Sequence, residues 1–176
     1  MKKISLTLTS LCLVLSMCLP AQAALKCSSW AESYVNEALE YDIIPDFMKD
    51  DDLTKNITRE DFCELAYLTV QEVSDSNSIV ITYSNRETHF YDTDNKAVTT
   101  LKRLGVISGR TSTKFDPDGL LTREEAAYIL ARMTEVFELT KFVNNDGFKD
   151  RNEISSYAKE SVNTVCGMNI MSGMGD

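Results

Sequence analysis

Between residues 115 and 137, apolar side chains recur at the spacing of one helical face. Ala126, Ile129, Leu130, Met133, Val136 and Phe137 fall at i, i+3, i+4, i+7, i+10 and i+11, the pattern of a helix with one buried stripe. The start of that helix is also legible. Asp116-Pro117-Asp118-Gly119 is turn chemistry, because proline presets one dihedral and glycine tolerates positive φ. Thr122 stands at the N-cap with Glu125 three residues on, a capping box, and Leu121 can staple onto Ala126. Arg123 then falls in the first turn, beside free backbone N–H groups and the positive end of the helix dipole. A cation there works against helix stability, and both it and the helix end favour an anion.

The pattern occurs twice. Ile57-Thr58-Arg59-Glu60-Asp61-Phe62 stands 64 residues upstream, with Thr58 as the cap, Arg59 in place of Arg123 and Asp61 making a weaker box than Glu125. Phe62, Leu65, Ala66 and Val73 repeat the stripe. A shorter helix precedes each long one. Ser29 to Tyr41, with a Ser29/Glu32 capping box, carries Ala31, Tyr34, Val35, Ala38 and Leu39 on one face and stops at Pro45. Ala97, Val98, Leu101 and Leu104 mark the second short helix, closed by Gly105. Ser156 caps a third, carrying Ala158, Val162 and Val165 and ended by Gly167. Val35, Val98 and Val162 correspond, as do Ala38, Leu101 and Val165, at offsets of 63 and then 64.

The chain therefore divides into a leader at 1–23, a first unit at 24–74, a connector at 75–89, a second unit at 90–138 and a third at 139–176. Within 74–91, Ile79 to Tyr83 has strand propensity and can pair with Thr88 to Tyr91 across Asn85-Arg86, predicting a small β-hairpin. His89, in the same connector, reads as a solvated side chain.

The N-terminus changes the picture of where this chain works. Lys2 and Lys3, an apolar run from Ile4 to Leu19, and Ala21-Gln22-Ala23 form a secretory signal peptide with cleavage after Ala23. The run is shorter than the roughly 20 residues of a membrane span. A lipoprotein reading through Leu15-Ser16-Met17-Cys18 is poor, because Met17 sits where a small residue is needed. Loss of Lys2 and Lys3 with the leader takes the formal charge of −9 to −11. Such a chain is unsuited to nucleic acid, which needs clustered Lys and Arg, or to an anionic membrane surface. Three cysteines remain after the leader. Cys27 and Cys63 flank the helices of the first unit and could form a disulfide, or Cys63 could be a small core residue; Cys166 has no obvious partner.

In order and spacing these pieces resemble the S-layer homology family of bacterial surface proteins. The resemblance rests on Trp30-Ala31 and Leu53 to Glu60 in the first unit. In the second it rests on Phe90-Tyr91-Asp92, Leu104-Gly105-Val106-Ile107-Ser108-Gly109, Phe115-Asp116-Pro117 and Thr122-Arg123-Glu124-Glu125. In the third it rests on Phe148-Lys149-Asp150, Tyr157-Ala158 and Ile170-Met171-Ser172-Gly173. The resemblance implies an all-α, pseudo-threefold domain of three helix-loop-helix units, with the long helices bundled at the centre. It implies a non-catalytic, cofactor-free cell-wall anchor, secreted to the cell surface, whose partner is a secondary cell-wall polysaccharide bearing a pyruvate ketal. Carried over, Arg59 and Arg123 meet the pyruvate carboxylate, Trp30 walls a groove, and Ser108 with Gly109 lines the loop facing the sugar. For the arginines the competing reading is a bond to neighbouring acids such as Glu60 or Glu124, and for Trp30 plain packing between helices.

The departures carry expectations of their own. The first unit has Pro45-Asp46 where the second has Ser108-Gly109. A third Thr-Arg motif is expected near position 186, so the third unit is truncated and the central bundle incomplete. The stripes of Phe62/Leu65 and Ile129/Leu130 are then expected to stay partly open, inviting self-association. The segment is alternatively the anchor of a larger secreted surface protein or envelope enzyme. Within the segment no Ser/His/Asp or Cys/His set appears, and the acids read as solvated faces rather than a glycosidase pair. Neither Asp116 to Gly119 nor Asn144 to Gly147 fits a calcium loop, whose glycine is sixth.

Overall fold

The computed structural model describes residues 25–84, 89–139 and 148–173, and every described element is helical. The leader lies outside the described residues. A 3-10 turn, Ser29–Ala31, leads into helix α1, Glu32–Glu40. A second 3-10 turn, Asp46–Met48, lies in the loop before α2, Arg59–Asn77. The second unit holds α3, Lys96–Arg103, and α4, Arg123–Val136. The third holds α5, Lys159–Gly167.

The long helices begin where their caps place them. The Thr58 hydroxyl accepts from the Asp61 N–H at 3.1 Å, without a reciprocal bond. At Thr122 the capping box is complete: the Glu125 N–H donates to the hydroxyl, and the Thr122 N–H donates to Glu125 Oε2 at 2.9 Å. The short helices depart from expectation. Ser29 and Ser156 cap nothing; α1 and α5 instead emerge from tight turns through Ala31 and Ala158, with no side-chain cap. Asn95 caps α3 through its side-chain oxygen, and Gly105 closes it at a φ of 74°. The expected hairpin is also absent among the described residues. Helix α2 runs on to Asn77, and the stretch after it forms no paired strand. The turn Asn85-Arg86 and Thr88 fall outside them.

Packing follows a rule that crosses the units. Helix α3 lies on α2, the long helix of the preceding unit, and α5 lies on α4 in the same way. One core joins Cys63, Ala66 and Val70 of α2 to Val98 and Leu101 of α3, to Ile129 and Met133 of α4, and to Phe90, Val106 and Phe115 in the loops. A second joins Ala127 and Ala131 of α4 to Val165. Helix α4 is thus buried on two sides, the predicted stripe and a flank of small residues that admits α5 closely.

The expected stripes are partly open at three of their four positions. Ile129 is buried, and Phe62, Leu65 and Leu130 are half-buried. Exposed apolar surface also lies around α1, which buries none of its residues: Trp30 is 77% exposed, Tyr34 67% and Tyr41 54%. Cys27, Cys63 and Cys166 are free thiols, so the Cys27–Cys63 bridge is not formed. Cys63 is instead a fully buried core residue, and burial pushes its thiol up to about 12.

Candidate functional site

The two motif arginines hold equivalent positions at successive junctions between units. Arg59 Nη2 donates to the Ser108 carbonyl at 3.1 Å, and Arg123 Nη2 donates to the Ser172 carbonyl at 2.5 Å. Both serines precede the glycine of a Ser-Gly pair in the following unit, 49 residues downstream. Each long helix thus presents its first guanidinium to the next unit's loop. The glycines are set by close approach. A Cβ on Gly109 would collide with the Phe90 ring and with the Lys114 and Thr111 carbonyls, while one on Gly173 would press on Phe148 at 3.3 Å.

The surroundings of the two arginines differ. Arg59 is 6% exposed. Its Nε donates to the Phe115 carbonyl at 3.1 Å, its guanidinium stands 4.6 Å from the Phe115 ring centroid, and Nη1 pairs with Glu125 Oε1 at 3.3 Å. The same Glu125 oxygen takes a bond from Arg110. The α2 N-terminus is closed as well. The Arg59 N–H donates to the Gly119 carbonyl at 2.9 Å and the Glu60 N–H to that of Pro117 at 3.1 Å, and Leu121 N–H returns a bond to Ile57. The Asp116–Gly119 turn therefore spends its carbonyls on the N–H groups an external anion would need. Desolvation, then repulsion from Arg110, lowers the Arg59 pKa, and two carbonyls and a carboxylate hold the charge in place.

Arg123 is exposed and, among the described residues, has no carboxylate within ion-pair distance. Nor do the backbone N–H groups of Arg123 and Glu124 find an acceptor among those residues. These groups border a cavity of about 620 Å³ between the start of α4 and the third unit. Its walls are Ala127, Phe148, Ile154, Val162, Val165 and Met171, and Lys149, Asp150, Ser172 and Gly173 stand with Arg123 among the polar groups that line it. Glu124, also in the lining, is turned to the third unit: it accepts from the Ser155 N–H at 2.8 Å and from the Ser155 hydroxyl at 2.7 Å. Those bonds lower its pKa. Electrostatically the cavity combines an apolar interior with a mixed charged lining, Arg123 and Lys149 with Glu124, Asp150 and Glu153, and open helix N–H groups beside Arg123 at one wall. It can bind a carboxylate attached to a compact apolar or sugar body.

Of the residues singled out from sequence, the structure brings Thr122 and Arg123 to this cavity and Arg59, Thr58, Ser108 and Gly109 to the filled junction. Trp30 reaches neither; it is not among the cavity-lining residues and stands free at the start of α1. Sequence reasoning passed over Glu125 as an ion-pair partner, Arg110, and the Ser172 carbonyl. The first two carried a usable signal: an acid one step past the Thr-Arg-Glu triplet, and a cation next to the Ser-Gly pair.

The described residues contain no cluster of side chains suited to a metal ion and no helix long and apolar enough to cross a membrane. No curated protein matches the chain. A family model for the S-layer homology domain matches residues 91–127, from the Phe90-Tyr91-Asp92 corner through the Thr122-Arg123 helix start. The loop, the cap and the junction arginine just described lie in that span, and residues 91–127 are thus similar to an S-layer homology domain, a kind of cell-wall anchoring module.

Proposed function

We propose that the anchoring contact is made in the cavity between the second and third units, by Arg123 acting on a carboxylate of a secondary cell-wall polysaccharide. A pyruvate ketal fits its chemistry: a carboxylate for the guanidinium and the free α4 N–H groups, with a methyl group and a sugar ring for the apolar walls. The observation that carries this reading is Arg123, bonded to the Ser172 carbonyl but with no carboxylate in ion-pair contact among the described residues, beside open helix N–H groups at a cavity mouth. Arg59 has a different part. Glu125 already supplies its carboxylate from within the protein, so Arg59 locks the first two units together. Ser108 and Gly109 shape that lock, the first through its carbonyl and the second by having no side chain.

One charge-assisted contact contributes about 1.5–3 kcal/mol, or about 10- to 150-fold in affinity. Retention on a wall then relies on the apolar contacts and on many copies of the ligand along one glycan. Co-sedimentation with purified sacculi tests this. Arg123→Ala is expected to weaken binding by at least about tenfold, and walls stripped of ketal-linked pyruvate are expected to lose it to the same degree. Unchanged binding by Arg123→Ala, or equal binding to depyruvylated walls, would refute the carboxylate contact while leaving the family's wall association intact.

A further inference from the structure

Two stretches of the third unit wall the cavity, and neighbouring residues of α4 fasten them. Arg123 holds the 171–173 stretch through the Ser172 carbonyl at 2.5 Å. Glu124 holds the other. Phe148, Asp150 and Ile154 line the cavity from a segment that ends at Ser155. The Ser155 N–H donates to Glu124 Oε2 at 2.8 Å, the Ser155 hydroxyl to Oε1 at 2.7 Å, and the Tyr157 hydroxyl to Oε1 at 3.3 Å. The Tyr157 ring also meets Tyr128 of α4 edge to face, with centroids 6.0 Å apart.

We infer that Glu124 is a positioning residue for wall binding: it fixes the 148–155 segment against α4 and so sets the shape of the cavity that Arg123 serves. The inference rests on the reading of that cavity as the carboxylate site. Its first support is orientation. Both carboxylate oxygens are turned to donors of the third unit, although the residue borders the cavity. Its second support is the division of labour with Arg123. A ligand carboxylate competes with the Ser172 carbonyl for the guanidinium, which loosens one wall as the ligand binds. The Glu124 clasp shares no donor with the ligand, so the other wall stays in place. The first junction carries the same device: Glu60, one residue after Arg59, accepts from the Thr93 hydroxyl ahead of α3. There the space beside the arginine is filled by Phe115 and Glu125. At the second junction the clasp borders an open cavity.

The sign of the effect separates the clasp from charge. Deleting a carboxylate beside Arg123 should, by electrostatics alone, tighten an anionic ligand. Loss of the clasp should weaken it. Co-sedimentation of the full chain with purified sacculi reads the difference, below the urea-unfolding range of each variant. Glu124→Ala is expected to bind several-fold more weakly than the parent. Glu124→Gln is equally neutral, but its amide oxygen can accept from the Ser155 N–H while its NH2 donates to the Ser155 hydroxyl oxygen. It should regain the parent's binding or exceed it. Ser155→Ala, the milder change, should weaken binding in the parent and add nothing to Glu124→Ala. The inference is overturned if Glu124→Ala binds as well as the parent or better. It is also overturned if Gln and Ala weaken binding equally, which makes the carboxylate's charge the contact, or if the Ser155→Ala and Glu124→Ala losses add in full. Arg123→Ala, run beside them, keeps the two readings apart. Loss in Arg123→Ala with none in Glu124→Ala removes the clasp alone; unchanged binding in Arg123→Ala removes the carboxylate contact and the clasp with it.

Discussion

Arg59 and Arg123 occupy equivalent places in the repeat, yet their removal should have opposite consequences. Replacing Arg59 by alanine deletes three interactions at once. The Phe115 and Ser108 carbonyls lose their guanidinium donor, and Glu125 loses one of its two cations. Breaking a buried ion pair by removing one partner costs about 3–5 kcal/mol. Arg110 remains bonded to Glu125 and keeps the carboxylate from being stranded, which places the expected loss near the lower end, about 3–4 kcal/mol. Arg123→Ala removes a single bond from an exposed side chain to the Ser172 carbonyl, a loss of about 1 kcal/mol or less. Equilibrium urea unfolding measures both. With a slope of about 1–3 kcal/mol per molar, the Arg59 variant should unfold at least about 1 M earlier than the parent, and the Arg123 variant close to it. In sacculi binding the ranking reverses once each protein is assayed below its unfolding range. An Arg59→Ala protein as stable as the parent would refute the assignment of Arg59 to the lock between units. So would an Arg123→Ala protein that is the less stable of the two.

Acid should loosen the contacts that Asp92 and Glu124 make. The Phe115 and Asp116 N–H groups hold the Asp92 carboxyl below the ordinary carboxylate range, and the Ser155 N–H and hydroxyl do the same to Glu124. A depressed folded-state value means that the stabilisation is complete above the unfolded pKa, about 4, and is lost as pH falls through the folded value. Thermal melts between pH 6 and 2.5 should show that loss, and Asp92→Asn should remove part of the slope; an identical slope in the variant counts against it. Native-state labelling with a thiol reagent at pH 8 should modify Cys27 and Cys166 first. Cys63 should react only on unfolding, since it is fully buried and its thiol is pushed up to about 12. Rapid labelling of Cys63 in the folded chain would contradict its place in the core.

The sequence announced its long helices and their caps because those signals are local. Thr58, Thr122 and Glu125 stand within one helical turn of the groups they bond, so spacing alone carries the message. The small-residue flank of α4 was less visible: Ala127 and Ala131 look neutral until α5 is laid against them. The unequal fates of the two arginines could not be read from their shared motif. What separates them is a carboxylate 66 residues from Arg59 and a turn whose carbonyls close the helix end, and both are contacts of the folded chain. The β propensity of Ile79 to Tyr83 was real but finds no partner strand among the described residues. Propensity without pairing does not make a sheet.

Because α3 rests on the helix before it and Arg59 reaches forward into the loop after it, the genetic period and the mechanical period are out of phase. Cutting the chain at the edges of residues 91–127 would strip α3 of its support and shorten α4 to its first turn and a half. The smallest piece with a closed core instead starts before Thr58 and runs past Phe137, taking half of one repeat and all of the next. Recombination at repeat borders would therefore break working parts, whereas exchanges in the polar loop at 49–56, ahead of the Thr58-Arg59 start, would pass a whole one along.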